Sequence, residues 1–129
     1  MDANRYRLNL NEISRKIIGC AFQVHNTLGC GFLEKVYENA LVIELRKTGL
    51  KVIQQAPIKV YYEGEVIGDY IADILVEEEI IIEIKAVKAI DEIHEAQLLN
   101  YLKATRLKLG LILNFGTPKL EIKRFVNEF

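Results

Sequence analysis

The chain has 129 residues and a formal net charge of −1, with 50% of its residues hydrophobic and 27% charged. That composition suits one soluble globular domain over residues 1–129, burying about two thirds of its unfolded surface, and excludes a disordered or strongly basic chain. No apolar run approaches the roughly 20 residues of a membrane span, the polar start MDANRYRLNLNE argues against a secretory signal, and two isolated cysteines, Cys20 and Cys30, suit a reduced cytoplasmic setting.

The first pattern is helical. Leu10, Ile13, Ile17, Cys20, Ala21, Val24 and Leu28 recur at helical spacing, which predicts a helix from about Asn9 to Leu28 stopped by Gly29. After the break at Gly29-Cys30-Gly31, a second helix is expected from about Leu33 to Thr48, closed by Gly49. Glu34, Tyr37, Glu38 and Leu41 fall along one side of it. From Lys51 the period changes to two. Val52–Gln55 and Ile58–Tyr62 read as one strand interrupted at Pro57, whose missing amide donor suits an edge or a bulge. Val66–Val76, bent at Gly68, and Ile80–Val87 complete an antiparallel meander. Asp91 caps a helix running to about Arg106, with Leu98, Leu99 and Leu102 expected against the sheet. Leu109–Phe115 is a buried strand reached by that helical crossover, hence parallel to its neighbour, and Leu120–Val126 is a final strand. Strands that are apolar on both faces need cover on both. The expected fold is therefore α/β (α+β): a central mixed sheet between helical layers.

The informative stretch is Asp73–Lys85, DILVEEEIIIEIK. Two apolar runs flank Glu77-Glu78-Glu79, which reads as a hairpin with a solvated turn. Alternation puts Glu83 and Lys85 on one face with Ile81, and Ile80, Ile82 and Ile84 on the other. A three-residue turn at Glu77–Glu79, with Val76 opposite Ile80, brings Asp73 directly across from Glu83 on the same face. A turn one residue shorter or longer sends the two carboxylates to opposite faces. Buried charges are costly unless they are paired or bind a cation. Two carboxylates and a lysine on one face suit a hard divalent ion, Mg²⁺ or Mn²⁺, and phosphodiester hydrolysis. A plain ion pair between Glu83 and Lys85 is the structural alternative. His25 and His94 lack ligand spacing to any partner and read as structural. Lys103, Arg106, Lys108, Lys119, Lys123 and Arg124 are candidate phosphate contacts or ordinary surface.

The acid, acid and lysine arrangement resembles the PD-(D/E)XK nuclease superfamily, with Asp73 as the first acid and Glu83-Ile84-Lys85 as the E-x-K. Gly31-Phe32-Leu33-Glu34-Lys35-Val36-Tyr37 looks like the signature of its small bacterial and archaeal GxxExxY proteins, with Cys30 standing where proline is expected. Gln97-Leu98-Leu99-Asn100-Tyr101 is similar to the Q-x-x-x-Y helix motif of the exonuclease branch, and Leu111–Gly116 also fits the family. The resemblance implies a restriction-endonuclease-like three-layer domain and a nuclease cutting DNA, or less readily RNA. It implies that Asp73, Glu83 and the Ile84 carbonyl hold the metal, with Glu34 as an outer or second-metal ligand. Lys85 would place the attacking water, and Gln97 and Tyr101 would hold substrate phosphate or support Lys85. The alternative is a non-catalytic module of the same fold that binds nucleic acid or a partner protein. Self-association through the edge strand near Pro57 is a further possibility for such a small chain.

Overall fold

The computed structural model describes residues 9–128, so most of the polar stretch read as arguing against a secretory signal lies outside the described residues. Its elements are helices α1 (Leu10–Leu28) and α2 (Glu34–Lys47), strands β1 (Val52–Tyr62), β2 (Glu65–Val76) and β3 (Ile80–Lys85), helix α3 (Glu92–Thr105), and strands β4 (Leu109–Asn114) and β5 (Glu121–Val126). The helix starts follow local chemistry. The Asn9 side chain accepts the Glu12 amide at 2.8 Å, and the Asp91 carboxylate accepts the amides of Ile93 and His94. His94 completes a capping box by accepting the Asp91 amide, which gives that histidine a structural task.

The five strands lie in sequence order. β1, β2 and β3 form the antiparallel meander, α3 carries the chain over one face, and β4 returns parallel to β3 before β5 pairs antiparallel with β4. Every residue of β4, and all of β3 except Lys85, is buried. Ile80, Ile82 and Ile84 pack beneath α1 and α2, whereas Ile81 and Ile112 pack beneath α3 with Leu98 and Leu102. Alternation along β3 thus feeds two cores, one per face, and the domain has three layers. No described helix is long and apolar enough to cross a membrane.

Three details differ from the sequence reading. Leu99 turns away from the sheet and is 41% exposed, because its neighbour Leu98 occupies the buried face. β3 ends at Lys85 rather than Val87; beyond it the Asn114 side chain accepts the Val87 amide and donates to the Val87 carbonyl, replacing a ladder with a clamp. β1 runs unbroken through Pro57, which sits on the outer strand of the sheet. The β1–β2 register shifts between Val60 and Tyr61, opposite Gly68, and Gln55 has a left-handed φ of 56°. The β1–β2 register skips the Gln55–Asp73 pair, between Gln54↔Ile74 and Ala56↔Ala72. There the strands also exchange faces. Val52, Ile74 and Val76 pack with the α1–α2 core, but Ile58 and Ala72 pack with the α3 core, despite even spacing along each strand. Asp73 therefore stands at the point where the long hairpin rolls over.

Candidate active site

The turn at Glu77–Glu79 has the length that the carboxylate pair requires. Val76 pairs with Ile80, Leu75 with Ile81 and Ile74 with Ile82, so the next pair in register is Asp73 and Glu83. Glu77 and Glu78 both adopt left-handed φ, 52° and 56°, and the Glu79 amide closes the turn on the Val76 carbonyl at 3.0 Å.

Beyond Ile74 and Ile82 the ladder between β2 and β3 stops, and the two acidic side chains fill the fork. Glu83 Oε2 accepts the Asp73 amide at 2.8 Å, and Asp73 Oδ2 accepts the Ile84 amide at 2.7 Å. Two main-chain donors that would otherwise be orphaned in the interior are satisfied. The same bonds lock both carboxyls toward each other and leave Asp73 Oδ1 and Glu83 Oε1 outside those two bonds.

The proximity is electrostatically costly. Burial and the Asp73 charge, together with a hydrogen bond to the Asp73 carboxyl, push the Glu83 carboxyl up to about 8, against a counteracting Asp73 amide and Lys85 ammonium. Burial also raises Asp73, with Glu38 and Glu34 adding to the shift while the Ile84 amide and Lys85 oppose it. At neutral pH the pair holds a proton, as two close carboxyls do when no cation lies between them. The hard oxygens left by the two backbone bonds, and the charge repulsion, fit a divalent cation that keeps several waters of its own.

The other expected residues fall into two groups. Lys85 follows Glu83 by two on β3, is half-buried, and acts electrostatically on both carboxyls. Tyr101 of α3 is buried over the same face, and its hydroxyl is raised by burial and then by Glu83, Asp73 and Tyr70. Glu34 and Gln97 are exposed and not gathered at the pair. Glu34 lies in the exposed first turn of α2 and reaches Asp73 through its charge, while Gln97 is exposed on α3. Among the described residues no three acid, imidazole or thiol groups form a ready-made metal cluster. Asp73 and Glu83 are brought together; Glu34 is not gathered with them.

Sequence reasoning passed over Glu38. It is 3% exposed, and its carboxylate accepts Gln54 Nε2 at 2.6 Å and Gln55 Nε2 at 3.0 and 3.1 Å, with Lys35 Nζ at 2.9 Å. Consecutive strand residues point to opposite faces, so one acceptor holds both glutamines only because Gln55 is left-handed. Glu38 therefore fixes the roll of the hairpin opposite Asp73. A carboxylate one helical turn from Glu34 was the available signal. Tyr37 is structural: its hydroxyl donates to the Gly29 carbonyl at 2.6 Å and accepts the Phe32 amide, and its ring stacks on Phe115 at 4.7 Å. It thereby pins the loop that starts α2. His25 likewise contacts the Thr117 carbonyl at 2.9 Å. Gly116 is forced: a Cβ there would stand 2.4 Å from Val87 N and 2.6 Å from Ala86 C, in the segment just after Lys85.

Comparison with known proteins agrees with this geometry. A sequence profile of the PD-(D/E)XK nuclease superfamily matches residues 11–125. Among solved structures, SSO0001 superposes with a TM-score of 0.58 at 19% identity, over 74% of this chain and 50% of that one. An alkaline exonuclease from Laribacter hongkongensis superposes with a TM-score of 0.53 at 15% identity, over 73% of this chain and 56% of that one. This chain thus aligns with about half the length of each. No curated protein sequence matches it. The architecture is the restriction-endonuclease-like three-layer fold.

Proposed function

Because the chain belongs to the PD-(D/E)XK nuclease superfamily, we propose that it is a metal-dependent nuclease, in a single domain, hydrolysing phosphodiester bonds in DNA or, less readily, RNA. The observation that carries this reading is the fork between β2 and β3, where Asp73 and Glu83 are tied to each other's strands and share one face with Lys85. PD-(D/E)XK nucleases generally use divalent ions; Mg²⁺ or Mn²⁺ is the ion proposed here, held by Asp73 and Glu83 with the Ile84 carbonyl beside them. Such an ion supplies a Lewis acid that polarises a phosphoryl oxygen and makes water more acidic. Asp73 and Glu83 orient it through oxygens already aimed by the backbone bonds. Lys85 orients the attacking water and offsets negative charge developing on the phosphoryl group. Glu34 adds negative charge at the rim, toward a second ion, and Tyr101 and Gln97 hold substrate phosphate or steady Lys85. Within the superfamily, Gly31, Glu34 and Tyr37 support a place among the GxxExxY proteins, and the two isolated cysteines suit a reduced, cytoplasmic setting.

Purified protein incubated with Mg²⁺ or Mn²⁺ and single- or double-stranded DNA or RNA is expected to cut, and Asp73→Ala and Lys85→Ala are expected to abolish cutting. Cleavage that survives both substitutions overturns the site. A second reading, a nuclease-like module that binds nucleic acid or a partner protein without cutting, draws on the exposed position of Glu34 away from the pair. Folded protein that takes up no Mg²⁺ or Mn²⁺ at millimolar concentration would favour it.

A further inference from the structure

An open groove of about 870 Å³ lies between the β1–β2 hairpin and α3. Its walls include Tyr61 and Tyr70 from the hairpin, and Gln97, Tyr101, Lys103 and Arg106 from α3 and its end. Two properties set it apart from the rest of the surface. The chain has 18 acidic against 17 basic residues, yet among the described residues the groove lining has Lys103 and Arg106 and no carboxylate. Its aromatic rings are also displayed: Tyr61 is 61% and Tyr70 51% exposed, where a structural tyrosine such as Tyr37 is fully buried.

Tyr101 links the groove to the carboxylate pair. Tyr101 lines it, sits 5.8 Å from Tyr70 ring to ring, and its hydroxyl senses both Glu83 and Asp73. An occupant lying along Tyr61 and Tyr70 is therefore led to the carboxylate fork. A positively charged lining favours a polyanion. Exposed ring faces are useful only to bases whose own faces are open, which duplex stacking denies.

We propose that the groove of Tyr61, Tyr70, Lys103 and Arg106 takes an unpaired nucleic-acid strand, stacking bases on the two tyrosines and delivering the backbone past Tyr101 to Asp73 and Glu83. The inference rests on the nuclease reading for its purpose but not for its test. The chain has no tryptophan, so its emission comes from six tyrosines, Tyr61 and Tyr70 among them.

Binding is measured in EDTA, without cutting, by anisotropy of labelled short oligothymidylate and oligouridylate and of a blunt duplex. Both single strands, or one of them, are expected to bind more tightly than the duplex and to quench tyrosine emission. Tyr61→Ala is expected to weaken single-strand binding by roughly fivefold to 150-fold, and Tyr61→Phe to restore it. Lys103→Ala is expected to flatten the salt dependence by about 0.7 in the log–log slope. Equal or tighter duplex binding, or a Tyr61→Ala protein that melts and binds like the parent, overturns the proposal and leaves the nuclease reading to the Asp73→Ala result. Groove binding as described with no Mg²⁺- or Mn²⁺-dependent cutting would instead sink the nuclease reading and leave the groove standing.

Discussion

Replacing Glu83 by glutamine isolates the cost of the carboxylate pair. The native Glu83 carboxyl is pushed up to about 8 from an ordinary value of 4.5. The folded-state value lies above the unfolded one, so the native protein holds an extra proton between these limits. Its stabilising effect is complete below about pH 4.5 and is lost as pH rises through about 8. At about 1.4 kcal/mol per pH unit, the cation-free parent is destabilised by as much as about 3 kcal/mol at pH 7, relative to a neutral side chain of the same shape. The glutamine carbonyl can still accept the Asp73 amide that Glu83 Oε2 accepts, and its amide group can donate to the Asp73 carboxylate. The Glu83→Gln protein in EDTA should therefore melt roughly 10 °C above the parent near pH 7, and within a few degrees of it near pH 4. Circular dichroism melts across that range measure the difference. Adding Mg²⁺ or Mn²⁺ should raise the parent and narrow the gap, because the cation replaces the proton, and should do little for the Glu83→Gln protein. A difference in melting temperature that is flat with pH, or negative near pH 7, refutes the electrostatic account of the fork.

Two further substitutions probe the supports of the site. Gly116→Ala places a methyl group against the backbone of Ala86 and Val87, which cannot rotate aside; it should cost about 1–3 kcal/mol or more and lower cleavage by shifting the segment after Lys85. Gly19→Ala, with nothing within 4 Å inside α1, should be neutral or stabilising by about 0.5–1 kcal/mol, and equal behaviour of the two in thermal melts would contradict the contact argument. Glu38→Ala removes the acceptor shared by Gln54 and Gln55, so a loss of about 2–3 kcal/mol is expected, with faster amide exchange around Asp73. Unchanged exchange there would mean that the left-handed Gln55 holds the hairpin's roll without Glu38.

The sequence alone determined the layer architecture, the three-strand meander and the parallel return after the third helix, and it identified the turn length on which the pairing of Asp73 with Glu83 depends. Those follow from local rules: apolar periodicity selects helix or strand, β-branched runs apolar on both sides demand cover on both faces, and a turn of fixed length sets which residues stand opposite. A three-residue turn at Glu77–Glu79 is the condition for Asp73 to stand across from Glu83, and the pairs Val76↔Ile80 to Ile74↔Ile82 meet it. Only the tertiary structure decided what the two acids do at that place. The ladder stops at Ile74 and Ile82, β1 rolls over at Gln55, and the side chains of Asp73 and Glu83 take over as acceptors for backbone amides. The roll needs a left-handed Gln55, a conformation that local propensity disfavours and that Glu38 from a distant helix holds. Glu34 shares the α2 surface with Glu38, but its depth depends on how α2 docks, and docking leaves it exposed while Glu38 is buried. Tyr61 and Lys103 are separated by most of the sheet in sequence and face one groove only because α3 crosses back over the hairpin. Periodicity fixes which side of its own element a residue occupies; packing between elements fixes which residues meet.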